Sequence, residues 1–125
     1  MPQSAKPSSP LARAWKRLTA SQTELAHDDL AAEAQRAGAS PVAECTVRSR
    51  VVLQGQISMV AVSPRSARRW LEVSLDDGTG VVTLIWMGRR EIPGIEPGRR
   101  LRVEGRLADD NGRRVIYNPQ YELLD

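Results

Sequence analysis

Arg65, Arg68 and Arg69 fall within five residues, and Trp70 follows them directly. Arginine's planar fork makes bidentate hydrogen bonds to phosphate and stacks on bases, and an exposed indole adds a stacking platform. Grouped guanidiniums beside a ring therefore suit a polyanion that also presents flat aromatic groups. The same residue type recurs in pairs at Arg89-Arg90, Arg99-Arg100 and Arg113-Arg114. Residues 45–125 hold thirteen basic residues, all of them arginine, against ten acidic ones, while residues 1–44 balance five against five. The +3 net charge thus belongs to the C-terminal two-thirds of the chain.

Other chemistry is thinly represented. Cys45 and His27 are the only residues of their types, which excludes an intrachain disulfide and leaves too few ligands for a Cys/His zinc site. No metal and no cofactor is expected. Asp76-Asp77 and Asp109-Asp110 are paired carboxylates, but both stand in Asp/Asn/Gly-rich turn sequences, where Asp is favoured because its side chain binds nearby backbone. His27 has no evident nucleophile partner, and no phosphate-cradling glycine loop occurs. An enzyme is not expected, nor a small-molecule substrate.

The elements that must hold these residues can be read from hydropathy period. Residues 1–10 (MPQSAKPSSP) are rich in Pro and Ser, lack the apolar centre of a secretory signal, and read as a disordered tail. Residues 11–40 read as a helical segment. Leu11, Trp15 and Leu18 share one face, with Trp15 as an anchor, a second start follows at Ser21…Glu24, and Gly38 supplies a stop. From residue 45 the period becomes two. Thr46 to Val62 is a long strand placing Val51, Leu53, Gly55, Ile57 and Met59 inward, with Gly55 as the bend. Four more strands follow: Trp70–Asp76, Val81–Met87, Leu101–Leu107 and Val115–Leu124. DDGTG and DNG mark hairpins between the second and third strands and between the fourth and fifth. The segment GRREIPGIEPG joins the third to the fourth and has room for one or two helical turns.

That plan, an all-β chain of five strands with a long bent first strand and an N-terminal α-helical extension, resembles the OB fold, a five-stranded Greek-key barrel. The stretches VTLIWMGRREIPGIEPGRRLRVEGRL and IYNPQYELL are similar to a family of small actinobacterial proteins with an OB nucleic-acid-binding domain behind a helical N-terminus. The resemblance covers residues 45–125. Broader kin are the OB modules of tRNA synthetases, replicative polymerases and helicases. It implies a protein that binds single-stranded DNA or RNA with little sequence preference, across the second and third strands.

Carried onto this chain, the site comprises Arg65, Arg68 and Arg69 on phosphates and Trp70 stacking a base. Arg113 and Arg114 close the groove, and Arg89, Arg90 and Tyr117 are further nucleic-acid-binding candidates. By parity Trp86 is core. Ile85 and Met87 fall on the outward parity, as do Val52 and Val60, which is unexpected for a polar groove. This keeps a second reading open: a protein-interaction module with Ile85 and Met87 as its contact face. A helix folded over the second and third strands would favour that reading. No stretch approaches the roughly 18 uncharged apolar residues of a membrane helix, and a cytoplasmic protein without a membrane partner is expected.

Overall fold

The computed structural model describes residues 10–63 and 70–124, and within the helix it describes side chains from Thr23 onward. The described residues run through one helix, α1 (Pro10–Arg36), a single 3₁₀ turn (Val42–Glu44) and seven strands. These are β1 (Arg50–Val62), β2 (Trp70–Asp76), β3 (Val81–Met87), β4 (Arg100–Arg106), β5 (Ala108–Asp110), β6 (Arg113–Tyr117) and β7 (Gln120–Leu124). The strands form one sheet in the order β5-β6-β3-β2-β1-β4-β7, antiparallel except for the parallel pair β3–β6. Strict alternation on β2 and β4 buries Leu71, Val73, Leu75, Leu101 and Val103, which meet Leu53, Ile57, Leu84 and Ile116 in the core. The class is all-β, as expected.

Seven strands replace the expected five because two of the five are broken. The fourth ends at Arg106, and Leu107 turns away: its N–H donates to Ser49 O (2.9 Å) and its carbonyl accepts from Arg48 N (2.7 Å). Ala108–Asp110 then pairs with β6. The fifth breaks at Asn118-Pro119, where Asn118 has φ 49° and Pro119 has no N–H to offer a ladder. One half pairs with β3, the other with β4, and Trp86 Nε1 donates to Pro119 O (3.1 Å) at that corner.

Three further expectations change. The first strand begins at Arg50 rather than Thr46. Its irregularity lies between Ile57 and Met59, past Gly55. That bulge reverses the parity beyond it, so Met59 is 50% exposed, while Val60, expected outside, packs against the core. The β3–β4 connection holds no helical turn. Ile92-Pro-Gly-Ile95 and Glu96-Pro-Gly-Arg99 instead form two successive turns, closed by Ile95 N→Ile92 O (3.0 Å) and Arg99 N→Glu96 O (3.2 Å). Pro at the second position with Gly94 (φ 87°) and Gly98 (φ 92°) at the third matches type II geometry, which is incompatible with helix. Ile92 and Ile95 drop from these turns into the core.

The two expected helix starts are one continuous helix. It ends in a Schellman pattern: Gly38 has φ 80°, its N–H donates to Gln35 O (3.0 Å), and Ala39 N donates to Ala34 O (2.9 Å). Leu30 and Ala34 are its buried residues, and its contacts centre on β1. Arg100 on β4 grips Glu33 with two hydrogen bonds (3.0 and 3.3 Å), Arg102 donates to Ala37 O (3.0 Å), and His27 Nε2 lies 3.1 Å from Asp76 Oδ2. The tail of residues 1–9 and the Trp15 side chain lie outside what is described. No helix among the described residues is long and apolar enough to cross a membrane.

The hydrogen bond from Arg100 holds the Glu33 carboxyl below its ordinary value, against the opposing pull of burial. A lowered acid contributes stability at neutral pH and loses it as pH falls through the lowered value. Because both side chains are partly open to solvent, which screens the pair, it is worth only about 0.5 kcal/mol. Glu33→Gln should therefore melt slightly below wild type at pH 7, and the two curves should converge as pH falls through the lowered Glu33 value. A difference that persists below that value would place the effect elsewhere.

Candidate nucleic-acid interface

The strand register sorts the outward side chains of β1, β2, β3 and β6 into rows across the sheet. One row reads Met59, Ser74, Thr83, Val115; the next reads Ala61, Glu72, Ile85, Tyr117; a shorter third pairs Trp70 with Met87. Across the first row lies a groove of ≈ 670 Å³ whose walls include Met59, Glu72, Ser74, Val81 and Thr83 from the sheet. Val47 and the β5–β6 hairpin, through Asp109, Gly112, Arg113 and Arg114, complete it. A second hollow of ≈ 440 Å³ adjoins it, lined by Ala61, Val62, Ser63, Trp70, Glu72, Asp110 and Arg113. Glu72 and Arg113 line both hollows, and their ion pair (3.1 Å) forms the ridge between them.

No described side chain of α1, from Thr23 onward, lines either hollow. The helix docks instead toward β1, Arg100 and the β2–β3 turn. The described contacts thus leave the second and third strands uncovered on their outer side.

The sequence-derived site residues divide into distinct situations. Arg65, Arg68 and Arg69 lie outside the described residues. Trp70 sits half-buried at the end of the face, and its indole N–H is buried without a partner among the described residues. Tyr117 is 46% exposed, in register beside Ile85. Arg89 and Arg90 are exposed just beyond β3, and among the described residues they make no hydrogen bond or ion pair. Arg114 lines the groove with Nη2 3.4 Å from Ala43 O.

Arg113 is far from free. It spans Glu72 and Asp110 (2.9 Å), and the hydrogen bond to Asp110, helped by Glu72, raises its already high pKa further. Its charge is offset by two carboxylates before any ligand arrives.

Ile85 corrects an expectation. It faces outward, apart from the barrel core, yet it is only 2% exposed. It stands in a central strand with Glu72 opposite on one side and Tyr117 on the other. Met87 remains exposed at 42%. A contact face built on both residues therefore does not exist. Trp86 is core as parity indicates, edge-on to Tyr121 with centroids 5.6 Å apart.

Sequence reasoning missed Met59, because the bulge that turns it out is silent in the pattern. It also missed Glu72, whose outward parity was legible but whose bridge to the hairpin was not. Among the described residues no group of His, Cys, Asp and Glu is arranged to hold a metal ion.

A long first strand shared between β2 and β4, a parallel pairing of β3 with β6, and a face over β2 and β3 that the described contacts leave open define an OB barrel. The chain belongs to the OB-fold nucleic acid binding domain family, which matches residues 51–124. Among solved structures it is similar to RecG bound to a three-way DNA junction, at 22% identity and a TM-score of 0.53 over 61% of this chain. A replication protein A heterotrimer bound to single-stranded DNA is also similar, at 20% identity and a TM-score of 0.48 over 61% of this chain. The chain spans 11% of the first structure's chain and 57% of the second's. No curated protein matches it.

Proposed function

We propose that the protein binds single-stranded nucleic acid, DNA or RNA, with little sequence preference and without catalysing a reaction. The observation that carries this is the open groove over β1, β2 and β3, bounded by the β5–β6 hairpin and lined by no described side chain of α1. Membership of a nucleic-acid-binding OB family supports it. Trp70 and Tyr117 supply two rings at the Met87 end of the face, and Arg89 and Arg90, just beyond β3 and unpaired among the described residues, are exposed to neutralise phosphates. In this reading Arg65, Arg68 and Arg69, which lie in sequence between β1 and β2, also neutralise phosphates. Arg114 serves the groove's other margin, whereas Arg113 chiefly holds the hairpin to β2.

Fluorescence anisotropy with a labelled single-stranded oligonucleotide tests the reading. Binding should be clear at about 50 mM salt and fall steeply by about 200 mM, since phosphate neutralisation releases counterions. Trp70→Ala should weaken binding by about 1–3 kcal/mol if the ring stacks a base. Absence of binding at the lower salt would refute the proposal.

A further inference from the structure

We infer that Arg48, Arg50 and Arg106 form a second phosphate-binding patch, on the outer side of β1 and β4, which takes the backbone of a strand leaving the groove. The inference rests on the groove reading above and extends it to a surface beyond the β2–β3 face.

Arg50 and Arg106 are directly opposed in the antiparallel β1–β4 register. Such positions place Cβ atoms about 5 Å apart, and like charges there are unfavourable unless something of opposite sign intervenes. The one carboxylate at hand, Glu104, is engaged by Arg50 Nε (2.9 Å). Among the described residues Arg106 donates only to a carbonyl, that of Arg48, at 3.3 Å. The Arg48 guanidinium has no partner among the described residues, and all three arginines are exposed. Three guanidiniums therefore share one carboxylate.

The other outward arginines of β4 show what a structural role looks like on the same strand. Arg100 grips Glu33, and Arg102 donates to Ala37 O and Gln54, so both tie α1 and its end to the barrel. Arg50 and Arg106 tie down no such element. Arg48 also holds its backbone at φ 75°, a left-handed conformation that Gly or Asn would adopt at less cost. Its N–H on Leu107 O (2.7 Å) fixes it beside the end of β4.

The patch is continuous with the groove. Val47, the residue before Arg48, lines the groove, as does Arg114, whose side chain reaches back to Ala43 O. A strand lying over Ser74 and Thr83 and leaving past Val47 meets Arg48 first, then Arg50 and Arg106. Guanidiniums with unfilled donors suit phosphate oxygens there.

The test compares two labelled single strands, of about 5 and about 15 nucleotides, within the range of site sizes OB folds occupy. The triple variant R48Q/R50Q/R106Q should bind the longer strand on the order of ten- to a hundredfold more weakly at 0.1 M salt. Its log–log salt slope should fall by about 2, three contacts at about 0.7 each. Affinity for the shorter strand should stay within about twofold, since few nucleotides remain to leave the groove. Arg106→Gln alone should lower the slope by about 0.7. An unchanged melting temperature would establish that the exposed substitutions leave the fold intact. Wild-type affinity and slope on the longer strand would overturn the patch while leaving the groove standing. Equal weakening on both lengths would overturn it too, by showing an effect of overall charge. If wild type binds neither strand, the groove reading itself fails and the patch with it.

Discussion

Gly55→Ala should destabilise the barrel by about 4 kcal/mol or more, a large part of the roughly 5–15 kcal/mol that holds a typical domain together. A Cβ built on Gly55 would lie 2.4 Å from Asp76 O and 2.8 Å from Asp76 C. These are backbone atoms at the end of β2, where the chain enters the turn that carries Asp77. They cannot rotate aside as a side chain would. Relief requires β1 and β2 to separate, at the point where Gln56 pairs with Asp76. Overpacking of this kind ordinarily costs 1–3 kcal/mol when side chains yield, and more when the backbone must. Gly88 provides the comparison. It has φ 81°, but its Cβ would meet nothing within 4 Å, so Gly88→Ala should cost only about 1 kcal/mol of backbone strain. Urea denaturation of the two variants decides the matter. If Gly55→Ala is no worse than Gly88→Ala, close approach of the strands is not what the position requires.

Gly55 also shows what alternation can and cannot reveal. The inward parity of Val51, Leu53, Gly55 and Ile57 was legible, and a glycine in that row marked the position as special. Its reason was not legible, because the atom that excludes a side chain belongs to Asp76, twenty-one positions onward and across a ladder. The true bulge, between Ile57 and Met59, leaves no trace in residue type, since Ser58 and Met59 fit either parity. The two broken strands differ in the same respect. Asn118-Pro119 is a visible interruption once Pro's missing donor is considered, whereas Leu107 turns away because of partners at Arg48 and Ser49. Turn chemistry was the most legible layer: DDGTG, the two Pro-Gly pairs and DNG all mark chain reversals. Even there, the Pro-Gly pairs allowed short helix until their positive φ values settled the turn type.

For the site, counting arginines overstated what the surface offers a ligand. Arg50, Arg99, Arg100, Arg102, Arg106, Arg113 and Arg114 each donate to a carboxylate, a carbonyl or an amide of the protein itself. Adjacent arginines also divide in role. Arg99 holds Leu124 O and Arg100 holds Glu33, while Arg89 and Arg90 hold nothing among the described residues. Spacing along the chain cannot separate these cases, because the partners come from α1, β2 and the C-terminal strand. The groove is therefore less basic than the sequence implies, with Glu72, Asp109 and Asp110 set among its cations. That balance suits weak, salt-sensitive binding at the centre, with phosphates held at the margins.

Asp77→Ala should cost about 3 kcal/mol and should also release the segment that joins α1 to the barrel. Asp77 is fully buried, and its two oxygens do different work. Oδ1 closes the β2–β3 turn, accepting from Thr79 N (2.8 Å), Thr79 Oγ1 (2.7 Å) and Gly80 N (3.1 Å). Oδ2 reaches thirty-five residues back to accept from Val42 N at 2.8 Å. That bond seats Val42, which is fully buried, against the core beside Gly80. Hydrogen bonds to a charged acceptor contribute about 1.5–3 kcal/mol, and alanine would leave four backbone or hydroxyl donors without their acceptor. Cys45 reports on the docking directly. It follows the 3₁₀ turn, its Sγ lies 3.2 Å from Pro41 O, and burial raises its thiol pKa, which slows reaction with thiol reagents. In Asp77→Ala the thiol should react faster under native conditions. Asp77→Asn separates the two oxygens: an amide can keep Oδ1 toward Thr79 and Gly80, but then turns its NH₂ toward the Val42 N–H. It should lose less stability than alanine yet label Cys45 comparably fast. Labelling at the wild-type rate in both variants would mean that Val42 stays seated without Asp77, and that the carboxylate serves only its own turn.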